Sequence, residues 1–257
     1  MRGEVCIGLA SILALASTLL LIFAHVGQIN TSNVPKGIYM TKVNVSGYGD
    51  SLEVAILNPI FGLYTDNASA PLGDSAGLRQ YYQFGLYSYC AYVNDSAGSC
   101  SNHTAGFRFT PFDTLVSDMR SNFSTLTQEL LPGDLILRDS HYLGQTSRAA
   151  YFLILLATIG AALTFILGIL KYSITFFLSA LAAGISSLFL VVAAALWTVM
   201  INRSNDINTR IIGSAMNTTP LGIEVSTGTG FYLIWAAFAC LFLSMIPYII
   251  SCCTYRG

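Results

Sequence analysis

Four long stretches of this chain contain no charged residue, and that pattern constrains its fold more than any other feature. They are 5–26 (VCIGLASILALASTLLLIFAHV), 149–170 (AAYFLILLATIGAALTFILGIL), 174–201 (ITFFLSALAAGISSLFLVVAAALWTVMI) and 230–253 (GFYLIWAAFACLFLSMIPYIISCC). About 20 apolar residues cross the hydrocarbon core of a bilayer as a helix, and each stretch reaches that length. Four transmembrane helices are therefore expected. Charged residues make up only 10% of the 257, against roughly 25% in soluble domains. A net charge of −1 provides no field to attract nucleic acid, so none is expected as a partner.

The first stretch follows Arg2 as a signal peptide would. Its apolar run exceeds the usual h-region of about 7–15 residues, and no A-x-A cleavage site follows, so a retained anchor is expected. Segments 1–4, 171–173 and 254–257 carry Arg2, Lys171 and Arg256 against Glu4. That positive bias places them in the cytosol, with both termini inside. Loops 27–148 and 202–229 then lie outside. Asn-x-Ser/Thr sequons agree: Asn30, Asn44, Asn67, Asn94, Asn102, Asn122, Asn202 and Asn217 all fall in these two loops. Asn30 lies too near the membrane for modification; the other seven are glycosylation candidates. About a dozen residues are left for the cytosol, too few for a kinase, nuclease or nucleotide-binding domain.

The first outer loop is long enough to fold as a small domain. GIYMTKVNV (37–45) and RQYYQFGLYSYCAYV (79–93) alternate like strands, with Tyr82, Phe84, Leu86, Ser88 and Cys90 on one face of the second. SLEVAILNPIFGLY, beginning at Ser51, is expected to add a strand, and TDNASAPLGDSAG to form turns. Thr110 before Pro111 reads as a helix start. Leu115, Met119, Phe123, Leu126 and Leu130 then continue at helical spacing until Pro132.

Cys90 and Cys100 lie ten positions apart in this loop. In an oxidising compartment two such thiols are expected to form a disulfide. A metal site would need two further ligands; His103 is near, but no CxxC or HxxxH spacing exists. A redox pair would sit closer, as CxxC. No metal and no cofactor are expected. Cys6, Cys252 and Cys253 flank the first and last spans and are palmitoylation candidates, with simple apolar packing as the alternative. Cys240 falls mid-membrane and is expected to be inert.

Gly85, Leu86 and Tyr87, then Cys90 and Cys100, form a GLY-x-x-C motif with a following cysteine in the first outer loop of a four-helix protein. This resembles the claudin superfamily, and within it the fungal Sur-seven/PalI family of plasma-membrane proteins. Matching pieces are GIYMTKVNVS (37–46), YYQFGLYSYC (81–90), GFRFTPFDTL (106–115) and SRAAYFLILL (147–156). The resemblance implies a claudin-like fold: a four-transmembrane-helix bundle with a β-rich, disulfide-closed extracellular domain. It also implies residence in cortical domains associated with eisosomes, with a role in cell-wall and membrane organisation. A related fungal group acts in mating-linked calcium uptake and membrane fusion. Tyr87 stands where claudins carry tryptophan; Trp197 and Trp235 both fall inside helices. PalI-type signalling members have long cytosolic tails, whereas four residues follow Cys253 here.

Inside the spans, Ala157, Gly160, Ala161, Thr164 and Gly168, then Ser179, Ala180, Ala183, Gly184 and Ser187, recur at spacings that let helices approach closely. Packing within one bundle and self-association both use such faces. Ion and proton paths need intramembrane charge, and only His25, at an outer edge, approaches that. Asp139-Ser140-His141 holds triad residue types, but neighbours in an extended chain point apart. STGTGFYL (226–233) has glycines without a following Lys-Ser/Thr and reads as a flexible turn. Arg148 is expected to anchor at headgroups or pair with Asp139. The expected protein is non-enzymatic, with membrane lipids, itself or other membrane proteins, and cell-wall components as partners.

Overall fold

The computed structural model describes residues 2–254 except 96, 132, 134, 171, 215 and 216, with the backbone alone for 2–5, 173, 214, 217 and 251–254. The chain divides into two compact units, one of residues 1–26, 149–197 and 230–257, the other of 27–148 and 198–229.

The first unit is built on four long helices: α1 (Arg2–Val26), α6 (Ser140–Ile169), α7 (Ser173–Ser204) and α8 (Thr229–Thr254). All four contain windows long and apolar enough to cross a membrane. A helix satisfies its own backbone polar groups, which hydrocarbon requires. Their outward faces are also apolar, with Ile12, Ile166, Phe177 and Leu188 exposed, as lipid contact demands. Pro247 lies inside α8, a position that membrane helices tolerate.

Small residues set the helix contacts. A Cβ on Gly160 of α6 would lie 1.9 Å from Ser186 Oγ of α7, and one on Gly168 would lie 2.0 Å from the Tyr248 hydroxyl of α8. Both helix pairs therefore meet where a side chain is missing. Ala157, Ala161, Thr164, Ser179, Ala180, Ala183 and Ser187 are buried within the chain. The small-residue faces thus pack inside this bundle. Ser17 Oγ of α1 donates to the Ala237 carbonyl of α8 at 2.8 Å. Thr158 donates to Ile154 on its own helix, so the 3.0 Å contact from His25 Nε2 is a donation from the imidazole to Thr158.

The second unit holds α2 (Asn33–Gly37), β1 (Thr41–Asn44), α3 (Tyr48–Ile56), β2 (Tyr81–Phe84), β3 (Tyr89–Tyr92), β4 (Gly98–Cys100), α4 (Pro111–Asp118), α5 (Ser121–Leu130), β5 (Ile211–Ser214), β6 (Asn217–Pro220) and β7 (Glu224–Thr227). One antiparallel sheet has the order β4-β3-β2-β1-β7, and β5 pairs with β6 separately.

Several sequence expectations are corrected here. The 79–93 segment is a hairpin rather than one strand. Gly85 N–H bonds the Ser88 carbonyl at 2.9 Å, turning the chain after Phe84. The turn moves Cys90 off the Tyr82–Phe84 face: Cys90 pairs with Gln83, while Tyr82 pairs with Ala91. SLEVAI belongs to helix α3, because Tyr48 and Leu52, four apart, both bury. The expected helix from Thr110 to Leu130 is broken at Met119, which is extended. Asp118 is anchored from three directions there, so the chain leaves the helix at that residue. STGTG is no flexible turn: β7 ends in it, and Gly228 N–H bonds the Met40 carbonyl at 2.9 Å.

The anchor on Asp118 is a buried ion pair. Arg79 Nη1 donates to Asp118 Oδ2 at 2.8 Å with both side chains fully buried. The Tyr82 hydroxyl donates to the same oxygen at 2.7 Å, and the Gly73 N–H to Oδ1. Arg79 Nη2 donates to the Ala70 carbonyl. A buried charge pair holds only with such added hydrogen bonds. Burial beside the Asp118 charge pushes the Tyr82 hydroxyl well above its ordinary pKa.

Candidate functional site: the cysteine hairpin

The disulfide between Cys90 and Cys100 joins directly paired residues of β3 and β4. On the same sheet face, the rings of Tyr81 and Tyr92 stack with centroids 5.1 Å apart. Lys42 sits over the Tyr81 ring at 4.0 Å and Lys36 over the Tyr92 ring at 4.8 Å. The two ammonium groups cap opposite members of the stack, and each gains a cation–π contact. Burial pushes both tyrosine hydroxyls up to about 12.

Gln28 organises the approach to this hairpin, and sequence reading gave it no role. It is fully buried with φ of 58°. Its Nε2 donates to the carbonyls of Pro35, Lys36 and Ile38 at 2.9–3.1 Å. Its own carbonyl accepts from Ser88 Oγ at 2.6 Å. Ser88 thereby spends its only proton, so the 3.2 Å contact with His103 Nδ1 is a donation from the imidazole. The chain from His103 through Ser88 to Gln28 ties the loop after β4 to the segment after α1. A lone glutamine just past an apolar run was the available signal.

Gly85 of the motif is required by contact. A Cβ there would lie 2.6 Å from the Gly27 carbonyl oxygen and 2.9 Å from Gln28 Cβ. Leu86 is buried, and Tyr87 is half-buried with its carbonyl accepting from Thr104 N–H at 2.9 Å. The motif is thus a joint, with glycine for closeness, leucine for the core and cysteine for the lock. The family comparison falls on this geometry. The sequence model of the SUR7/PalI family matches residues 6–254, nearly the whole chain.

The chain belongs to the SUR7/PalI family. No curated protein matches it. As a SUR7/PalI protein it is a multi-pass membrane protein of claudin-like fold. Among the described residues, no group of three or more His, Cys, Asp or Glu side chains is placed to hold a metal.

The remaining sequence candidates are dispersed. Asn30, Asn67, Asn94, Asn102, Asn122 and Asn202 are exposed, and Asn44 is half-buried at the end of the interior strand β1. The Asn217 side chain and the sequon serine Ser96 lie outside the described residues, as do the side chains of Cys252 and Cys253. Cys6 and Cys240 are free and half-buried. The Asp139 carboxylate caps α6, accepting Tyr142 N–H at 2.8 Å. His141 meets Gln145 at 2.9 Å, and the buried Ser140 hydroxyl has no hydrogen-bond partner among the described residues. Asp139, Ser140 and His141 are not brought together as a triad.

Proposed function

We propose that this SUR7/PalI protein is a non-enzymatic organiser of a plasma-membrane domain. It acts by lateral association in the eisosome-associated cell cortex and influences cell-wall and membrane organisation. Both termini lie in the cytosol, and residues 27–148 and 202–229 face outward, where the exposed sequon asparagines carry glycans.

One observation carries this reading. The two interhelical segments join in one disulfide-closed sheet, since β7 of the later segment pairs with β1 of the earlier. The bulk outside the helices is thereby a fixed presenting surface. Uncharged spans supply no groups for an ion path. Most of the bundle's small residues are buried within it, leaving lateral contacts to the large lipid-facing side chains and to the sheet domain.

Imaging of tagged protein in living cells tests the reading. Static cortical patches are expected. Uniform or mating-tip distribution, with altered calcium uptake in a deletion strain, would replace it with the calcium-influx or fusion accessory role. Glycosidase treatment should increase electrophoretic mobility. Unchanged mobility together with protease protection of 27–148 on the cytosolic side would reverse the topology.

A further inference from the structure

β4 (Gly98–Cys100) is the last strand of its sheet on one side, with β3 as its strand neighbour. The Ser101 N–H bonds the Tyr89 carbonyl at 2.8 Å, and the Val93 N–H bonds the Ala97 carbonyl at 2.9 Å. Antiparallel pairing alternates along a strand. At Gly98 and Cys100 the backbone N–H and carbonyl groups therefore point away from β3. An edge of this kind invites pairing with another chain unless something covers it.

That edge opens on a groove of about 380 Å³ lined by residues 29–31 and 98–103. No Asp, Glu, Lys or Arg occurs among them, so the groove offers amides, hydroxyls and the apolar Ile29. Asn102 belongs to the lining and opens the sequon Asn102-His103-Thr104. It is exposed, and its side-chain amide makes no hydrogen bond among the described residues. Asn30, the other sequon asparagine in the lining, is committed to a local turn, its side-chain oxygen accepting the Ser32 N–H at 2.9 Å.

We propose that the glycan on Asn102 folds back into this groove and caps the open edge of the sheet. Its first N-acetylglucosamine hydrogen-bonds the outward backbone groups of Cys100, and the second follows the edge toward Gly98. Chemistry selects the occupant. Each N-acetyl substituent is a secondary amide, with the donor and acceptor that the peptide unit of a sixth strand would bring. The sugar is uncharged, as is the lining. Attachment at the groove holds it at high effective concentration, so weak hydrogen bonds suffice. A strand from another chain would use the same edge groups but has no such tether. The inference rests on the outward placement of residues 27–148.

The test uses the full chain from a host that adds N-glycans, reconstituted in nanodiscs. Amide exchange at Cys100 is read in the intact protein, after an endoglycosidase that leaves one N-acetylglucosamine, and after complete deglycosylation. Cys100 should stay protected in the first two forms and exchange roughly tenfold faster in the third, through loss of a hydrogen bond. Asn102→Gln and Thr104→Ala each abolish the sequon and should match the stripped protein, whereas Thr104→Ser keeps both sequon and protection. Both positions are exposed, and Thr104 meets Tyr87 through its backbone N–H, so these variants keep the fold. Equal exchange in every form, protection lost with the outer sugars alone, or loss in Asn30→Gln instead would overturn the inference. An unmodified Asn102 in glycopeptide mapping would overturn it too. Glycans found at other sequons would then leave the outward topology standing, and glycans at none would bring down both.

Discussion

Gly85 and Gly27 touch backbone to backbone, so closely that a Cβ on Gly85 would lie 2.6 Å from the Gly27 carbonyl oxygen. Two backbone segments meet there, and neither can give way as the end of a flexible side chain could. Gly85→Ala should therefore destabilise the sheet domain by about 1–3 kcal/mol. Amide exchange at Gln28 and Ser88 should accelerate with it. Unchanged protection at both would show that the joint relaxes freely.

Removing the disulfide tests a different cause. Cys100→Ser opens a crosslink spanning ten positions, which stabilises by roughly 2–3 kcal/mol, mainly through the unfolded chain. The thermal midpoint of the domain should fall, while the Tyr81–Tyr92 stack survives at low temperature. Non-reducing peptide mapping of the unmodified protein should recover Cys90 and Cys100 in one linked peptide.

The Arg79–Asp118 pair should be costlier to break. Asp118→Asn leaves a fully buried guanidinium facing a neutral amide, and loss of one partner in such a pair costs about 3–5 kcal/mol. Chemical denaturation should show this loss, and it should exceed the effect of Cys100→Ser. Equal losses would mean that water reaches the pair.

Alkaline pH should weaken the domain through its tyrosines. Tyr64, Tyr81, Tyr89 and Tyr92 are pushed up to about 12, each chiefly by burial. A raised folded pKa favours the protonated phenol, so this stability is complete below an ordinary tyrosine pKa near 10 and is lost as pH climbs from there to about 12. Absorbance at tyrosinate wavelengths should show these groups ionising near pH 12 in the folded domain and near 10 once it is unfolded.

Within the helices, Gly160→Leu should drive α6 away from Ser186 of α7. Overpacking of this kind costs about 1–3 kcal/mol. Ser186→Ala together with Gly160→Ala should recover part of the loss, which a general defect in membrane insertion would not allow.

The helices were the most legible part of the chain, because hydrocarbon demands long uncharged runs whatever the tertiary detail. The disulfide was legible from compartment chemistry. Register was not. Alternation from Tyr82 to Cys90 looks continuous, and only the Gly85–Ser88 turn moves Cys90 to the opposite face. The helix break at Asp118 was hidden for a similar reason, since the Arg79 that fixes it lies 39 positions earlier. Gln28 works through its amide and backbone toward segments that fold onto it, and no spacing rule signals that. β7 was missed because four residues of modest strand character derive their pairing from β1.

That last pairing has a consequence for how the molecule is made. Thr41 of β1 pairs with Thr227 of β7, 186 positions later. At synthesis rates of about 5–20 residues per second, β1 emerges roughly 10–40 s before the strand that completes its edge. During that interval the hairpin and its cysteines exist, but one edge of β1 has unpaired amides and carbonyls. Folding factors that met the chain then would find a half-built sheet, and a chain truncated after the third span would leave that edge permanently open.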